Sequence, residues 1–248
     1  MLIEDSDIYK IYPITWIAKS QTLINHVLFA KSEKELFVAD FASGEHDRVP
    51  SFFVNILPRM DSSGLKRIIV YCTDIHSLRL DSLMGKLEES DLLDNVRVVH
   101  AKLETMDEEA NLRPDMIKYL ENKPNITTSL DHHLTEKKYI PQETFDVGVL
   151  NNDIVGYLHK YYSEYSDAQL GLQKVYRTLK SGALLVVTMP CSLYIVDNIQ
   201  VLESLGFEFV EGLDIQLSDG AVTTLGRSTE PQAMSRLGHY TFLIFVRK

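Results

Sequence analysis

Seven short apolar runs alternate along the chain with segments whose apolar positions repeat at helical spacing. The runs are rich in Val, Ile, Leu and Phe and span residues 35–41, 67–72, 96–100, 145–150, 183–189, 207–211 and 240–247. Several are almost continuously apolar, which is typical of strands buried on both faces of a parallel sheet. The helical pattern covers residues 47–60, 76–90, 168–180 and 196–205.

This alternation predicts an α/β protein with a doubly wound, mainly parallel sheet, because strand–helix–strand units cross over with one hand. Residues 1–34 form a predicted helical N-terminal extension. Residues 107–144 and 212–239 are predicted insertions between strands, with three prolines in the first. No linker-like composition separates these parts. We therefore predict a single domain over residues 1–248.

Composition narrows the class of protein and of partner. The chain has 248 residues, of which 45% are apolar and 24% charged, as in soluble globular proteins. Its formal charge of −10 disfavours a nucleic-acid partner, because an acidic chain repels phosphate. The first residues, MLIEDSD, are acidic where a signal peptide carries Lys or Arg. We expect a cytoplasmic protein with no membrane span, and the pattern sets no oligomeric state.

Candidate chemistry follows the strands, because ligands of such sheets bind beyond the carboxyl ends. Asp40 lies near the end of the first run and precedes Ala42, Ser43 and Gly44, whose small size permits a tight turn and close approach of a ligand. The following helix N-terminus offers free N–H groups. The same turn can also serve only to pack helix on strand. Because it has one glycine, it does not match G-x-G-x-x-G, which disfavours a nicotinamide-dependent oxidoreductase.

Polar residues also follow other strands. Asp74, with Ile75 after it, can accept hydrogen bonds from a ribose diol, or it can cap the next helix. Lys102 and Leu103 follow the third run. Asn151 begins a polar cluster after the fourth run, where polar groups are costly unless used, although asparagines can also cap the backbone.

Five segments in order resemble the class I S-adenosylmethionine-dependent methyltransferases. They are LFVADFASGEHD, VYCTDIHSLRL, NVRVVHAKLETM, FDVGVLNNDIVGYLH and LQKVYRTLKSGALLVVTMP. The resemblance covers roughly residues 35–248. It implies a seven-stranded sheet of order 3-2-1-4-5-7-6, with the last strand antiparallel and helices on both faces. It also implies S-adenosylmethionine as the cofactor and methyl transfer as the activity.

The resemblance implies a cofactor site made of Asp40, Ala42, Ser43, Gly44, Asp74, Ile75, Lys102, Leu103 and Asn151. The methionine part of the cofactor would lie at the turn of residues 42–44, beside Asp40, and the ribose hydroxyls at Asp74. Lys102 and Leu103 would flank the adenine, and Asn151 would lie near the amino-acid end.

The chain departs from the family pattern at three positions. Ala42 and His46 stand where glycine is common. Alanine is tolerated there if its φ stays negative, and His46 would narrow the site. Lys102 stands where many members have Asp, and lysine cannot accept a hydrogen bond from the adenine amino group. Glu104 or a backbone carbonyl would substitute. These departures motivate an alternative function, a catalytically inactive binding or scaffold protein with a degenerate cofactor pocket.

Methyl transfer from a sulfonium is an in-line displacement, to which a protein contributes proximity and alignment. A general base is needed only where the acceptor must lose a proton. The predicted catalytic residues are Asp153 and His159, with the pair His132 and His133 as a further candidate. No metal-ligand spacing is present, so we predict no metal. The expected acceptor is a small molecule or a protein side chain.

Overall fold

A nine-stranded sheet organises the computed structural model, which describes residues 17–29, 35–60, 67–152, 154–161, 165–189, 195–227 and 238–248. The strands are β1 (Glu35–Phe41), β2 (Arg67–Asp74), β3 (Val96–Ala101), β4 (Ala110–Leu112), β5 (Phe145–Leu150), β6 (Leu179–Met189), β7 (Phe207–Gln216), β8 (Val222–Thr224) and β9 (His239–Arg247). Their order across the sheet is β4-β3-β2-β1-β5-β6-β9-β7-β8.

The predicted fold class and strand order are confirmed. Strands β3, β2, β1, β5 and β6 are parallel neighbours, and β9 runs antiparallel between β6 and β7. Two short strands that the sequence did not predict extend this arrangement, because β4 pairs antiparallel with β3 and β8 with β7. The seven predicted strands therefore form the interior of a nine-stranded sheet.

Helices connect the strands and cover the faces of the sheet. They are α1 (Gln21–Phe29), α2 (residues 48–60), α3 (Ser77–Glu89), α4 (Pro114–Glu121), α5 (Ser129–Glu136), α6 (Ile154–Tyr161), α7 (Tyr165–Thr178) and α8 (Ile195–Ser204). Helix α2 contains a π-helical turn over Phe52–Ile56. Pro58 has no N–H to donate to the carbonyl of Val54, which accounts for an interrupted α-helical ladder there. Within the described residues, no helix is long and apolar enough to cross a bilayer.

The sheet interior packs aromatic rings against a glycine. Phe41 and Phe145 meet edge to face, with ring centroids 5.9 Å apart. A Cβ atom at Gly148 would lie 2.9 Å from Phe41 and 3.0 Å from Leu179. Glycine is therefore required in the middle of β5, because any side chain would displace the ring at the end of β1.

Residues 107–144 form ordered secondary structure where an irregular polar insertion was expected. The segment contains β4, α4, α5 and a 3₁₀ turn over Pro124–Ile126. Pro114 and Pro124 stand in the first turns of their helices, where a missing N–H costs nothing. Pro114 and Pro124 therefore begin helical segments, whereas Pro141 lies in the loop before β5. The predicted insertion of residues 212–239 also starts too early, because β7 continues to Gln216.

A buried ion pair fastens this segment to the sheet. Arg97 of β3 is fully buried, and its Nε donates to Oδ2 of Asp131 over 2.9 Å. The remaining guanidinium hydrogens reach backbone carbonyls, including that of Ile126 at 2.7 Å. Asp131 completes a capping box with Thr128 at the start of α5 and accepts a 2.9 Å hydrogen bond from Tyr71. Each buried polar group in this cluster is thereby satisfied.

We expect the substitution Arg97→Met to lower the free energy of unfolding by about 3–5 kcal/mol, because it leaves the buried Asp131 carboxylate without its cation. Urea denaturation measures the change. The matched control is Arg113→Met, which breaks a more exposed pair with Asp81. It should cost less than about 1 kcal/mol. Equal losses in the two variants would contradict the anchoring role of Arg97.

Candidate functional site

The carboxyl ends of β1 and β2 are joined through one carboxylate. The backbone N–H of Gly44 donates to Oδ2 of Asp74 over 2.9 Å, and the N–H of His76 donates to Oδ1 over 2.7 Å. Beside them, the N–H of Ser43 donates to the carbonyl of Thr73 over 2.8 Å. Asp74 thus holds the turn after β1 and the start of α3 in one arrangement. His76 is the residue at the N-cap of α3, so Asp74 lies two residues before the cap position that was considered for it.

The turn after β1 contains two residues in the left-handed region. Gly44 has a φ of 65° and Ala42 a φ of 55°. The condition under which alanine is tolerated in this turn, a negative φ, is therefore not met. The hydrogen bonds of Ser43 and Gly44 to the end of β2 impose the turn, and Ala42 adopts the conformation for which glycine is usual.

A cavity of about 370 Å³ opens at these strand ends. Its lining residues are Ala42, Asp74, Ile75, His76, Arg79, Ala101, Lys102, Leu103, Asn152, Ile154 and Leu158. The volume lies within the range of small-molecule sites. Strands β1, β2, β3 and β5 each contribute residues from or just beyond their carboxyl ends, which is where ligands of such sheets bind.

The cavity brings together part of the predicted cofactor site. Ala42, Asp74, Ile75, Lys102 and Leu103 line it directly. The other four predicted residues, Asp40, Ser43, Gly44 and Asn151, are not among the lining residues. Two of them contact residues that hold the lining in place. The N–H of Gly44 donates to the Asp74 carboxylate, and Oδ1 of Asn151 accepts from the hydroxyl of Tyr240, which also contacts Asn152.

Sequence reasoning missed six lining residues. Ala101 and Asn152 are immediate neighbours of predicted positions. His76 and Arg79 belong to the start of α3, and Ile154 and Leu158 to α6. The residues at the ends of α3 and α6 nearest the sheet edge were a usable signal, because a helix that follows a strand begins beside the ligand crevice.

Asp40 is the most unusual acid of this region. Its carboxyl is 1% exposed, and Oδ1 has no hydrogen-bond partner within the described residues. Burial, reinforced by the nearby Asp74 charge, raises the pKa of Asp40 well above its ordinary value. An unpartnered buried polar atom is costly and marks a place where a ligand or water atom fits.

Cationic side chains stand at the rim of the cavity. Lys102 and Arg79 line it and are exposed. Glu104, the expected substitute acceptor for the adenine amino group, does not line the cavity. It lies against α7 instead, because a Cβ atom built on Gly171 would be 3.7 Å from the Glu104 Cγ. His46 does not narrow the cavity either, because it lines a separate surface hollow with Arg48 and Lys86.

The predicted catalytic residues are not described in the structure. Asp153 lies outside the described residues, and although the backbone of His159 belongs to α6, its side chain is outside them as well. His132 and His133 lie on α5, and neither lines the cavity. Both general-base assignments therefore stay predictions.

A carboxylate-oriented histidine occupies the same edge of the sheet. Nδ1 of His239 lies 2.7 Å from Oδ2 of Asp214, and the Thr241 hydroxyl donates to Oδ1 over 3.0 Å. The register pairs His239 of β9 with Gln216 at the carboxyl end of β7. Sequence reasoning missed the pair because its members are 25 residues apart on two strands.

No protein-family model and no curated protein matches the sequence. Solved structures do share its fold. A TehB-like S-adenosylmethionine-dependent methyltransferase from Corynebacterium glutamicum is 12% identical, with a TM-score of 0.51 over 96% of this chain and 95% of its own. A candidate sarcosine dimethylglycine methyltransferase from Galdieria sulphuraria is 10% identical, with a TM-score of 0.53 over 96% and 86%. The chain has the fold of the class I S-adenosylmethionine-dependent methyltransferases.

We expect Ala42→Gly to raise the free energy of unfolding by roughly 0.5–1 kcal/mol, because glycine adopts the left-handed region without the Cβ penalty. Thermal or urea unfolding measures the gain. Ala39→Gly, two residues earlier in the buried part of β1, is the matched control and should lower stability. A loss of stability in both variants would show that the φ of Ala42 carries no strain.

We expect Asp40→Asn to stabilise the protein increasingly as the pH rises. Because the pKa of Asp40 is raised in the folded state, its carboxyl keeps its proton to a higher pH there than in the unfolded chain, where it ionises above about pH 3.9. The stability that this proton contributes is therefore lost as the pH rises through the raised folded pKa. At pH 8 the variant should be more stable by roughly 1–3 kcal/mol, with little difference at pH 4.

Urea denaturation across this pH range checks the prediction. Asp115→Asn is the control, since Asp115 is exposed and paired only with Lys118 at 3.7 Å. A gain from Asp40→Asn that does not change with pH would contradict the buried, protonated carboxyl.

Proposed function

We propose that the protein is an S-adenosylmethionine-dependent methyltransferase that uses the cavity at the ends of β1 and β2 as its cofactor site. The observation that carries the proposal is the Asp74 carboxylate. It lines the cavity, and each of its oxygens accepts one backbone hydrogen bond. A carboxylate has about four acceptor positions, so both oxygens keep capacity for the two hydroxyls of a ribose.

The remaining lining suits the other parts of this cofactor. Ile75 and Leu103 supply apolar surface on two sides of the cavity, as a purine ring requires. Asp40 lies two residues before Ala42, at the turn that the resemblance gives to the methionine part, and its buried Oδ1 has no partner within the described residues. The residues present therefore fit the group.

The bound cofactor would supply an electrophilic methyl group on its sulfonium. The chain contributes binding and orientation, because Asp74 and the turn of residues 42–44 are fixed by hydrogen bonds before any ligand enters. For an acceptor that must lose a proton, Asp153 and His159 are the proposed bases. We propose a small molecule or a protein side chain as the acceptor.

A second candidate function has its own support. Ala42 occupies the cavity wall in a strained conformation, and Lys102 and Arg79 place positive charge beside a site meant for a cationic cofactor. Both features suit a catalytically inactive protein with a degenerate pocket that binds or scaffolds a partner. Direct measurement of cofactor binding separates the two functions.

We expect the wild-type protein to bind S-adenosylmethionine and S-adenosylhomocysteine in isothermal titration calorimetry, and Asp74→Asn to weaken both affinities by about tenfold or more. The amide has one acceptor oxygen and cannot serve two backbone N–H groups and a ribose diol together. Asp214→Asn is the matched control. Asp214 is also buried with both oxygens engaged, and it does not line the cavity.

The control should keep wild-type affinity within about twofold, since a loss of one buried charged hydrogen bond far from the ligand acts on stability. Absence of binding by the wild type at millimolar concentration of both ligands would refute the methyltransferase and favour the scaffold function. Equal weakening in Asp74→Asn and Asp214→Asn would refute the assignment of the ribose site to Asp74.

A further inference from the structure

The hydroxyl of Tyr240 lies at the centre of a partly buried polar network beside the cavity. Its oxygen is 2.9 Å from Oδ1 of Asn151, 2.9 Å from Oδ1 of Asn152 and 2.9 Å from the hydroxyl of Thr188. Tyr240 lies near the beginning of β9, and Thr188 lies near the end of β6. The side chain therefore reaches across β6 to the residues that follow β5.

Only a few placements of the hydrogen atoms give every hydroxyl and amide group of this network a hydrogen-bond partner. The Thr188 hydroxyl donates to Oδ1 of Asn151 over 2.6 Å, and the backbone N–H of Asn152 donates to Thr188 over 2.9 Å. Tyr240 has one hydroxyl hydrogen, so it donates to only one of these oxygens at a time, and Oδ1 of Asn151 and Oδ1 of Asn152 both lie within its reach. Burial raises the pKa of Tyr240 to about 12, so the hydroxyl keeps this hydrogen at neutral pH.

Asn152 is the member of the network that reaches the cavity. It forms part of the wall, and its φ of 63° is left-handed. Asparagine enters the left-handed region more readily than most residues other than glycine, because its short polar side chain can hydrogen-bond locally. Thr188 holds the backbone of Asn152, and Tyr240 holds its side chain.

We propose that Tyr240 is a positioning residue of the cofactor site, whose hydroxyl fixes Asn152 as a cavity wall and thereby sets the affinity for the adenosyl ligand. This inference rests on the proposed function, because it assigns a role within the same cavity. Tyr240 itself does not line the cavity, so it acts on the ligand only through Asn152.

The first test compares Tyr240→Phe with the wild type in calorimetric titrations with S-adenosylhomocysteine. The variant keeps the ring and removes the hydroxyl, and we expect about tenfold weaker binding from the loss of one fixed wall of the site. The matched control is Tyr176→Phe. Its hydroxyl also makes one hydrogen bond, to the carbonyl of Lys248 over 2.7 Å, and Tyr176 does not line the cavity. We expect the control to keep wild-type affinity.

A double-mutant cycle separates positioning from a general loss of stability. In an Asn152→Gly background the Tyr240 hydroxyl has no side chain to hold at that position, so Tyr240→Phe should weaken binding there by less than about threefold. Thr188→Val supplies a second route, because it removes the other contact that holds Asn152 and should weaken binding to a similar extent. It serves equally well if Tyr240→Phe fails to fold.

Three results would contradict these assignments. A wild-type protein that binds no S-adenosylhomocysteine overturns the proposed function and this role with it. Wild-type binding that neither Tyr240→Phe nor Thr188→Val weakens overturns the positioning role alone. The same holds if the effect of Tyr240→Phe is undiminished in the Asn152→Gly background, because the hydroxyl would then act by another route.

Discussion

The Asp74 carboxylate is the interaction on which the cavity depends. The N–H groups of Gly44 and His76 belong to two different chain segments, and each would be left without a partner if the carboxylate were absent. One side chain therefore closes the turn after β1, starts α3 and faces the cavity. Because its position is set by backbone hydrogen bonds, the acceptor that it offers a ligand is pre-organised.

The carboxyl of Asp40 lies near that of Asp74 but has a different environment. Asp40 and Asp74 lie near the ends of neighbouring parallel strands, and the backbone donors go to Asp74, which leaves Asp40 buried and short of a partner. Its raised pKa is the physical consequence. The rim carries Lys102 and Arg79, so the net charge of −10 describes the whole chain and not this site.

The sequence predicted the interior of the sheet well because buried parallel strands are continuous apolar runs, as β1 and β2 illustrate. It failed for short elements whose cues are ambiguous. Two of the three prolines of residues 107–144 start helical segments, which their place in a polar insertion did not reveal. In the site, residues next to a strand end were predictable, whereas Arg79 and Leu158 lie inside helices. Tyr240 was missed because its contact with Asn152 joins residues 88 positions apart.

Two residues of the cavity wall have a left-handed φ, and their contacts show that the geometry of the site depends on the register of the sheet. Ala42 and Asn152 are both left-handed, on opposite sides of the junction of β1 and β5. Contacts from a neighbouring strand hold each one, through the hydrogen bond of Ser43 to the end of β2 and that of Asn152 to Thr188 in β6. A shift of one residue between such strands would break these bonds and reverse the side chains. Strand pairing therefore maintains the walls of the cavity. The lining side chains keep their positions only while this register is preserved.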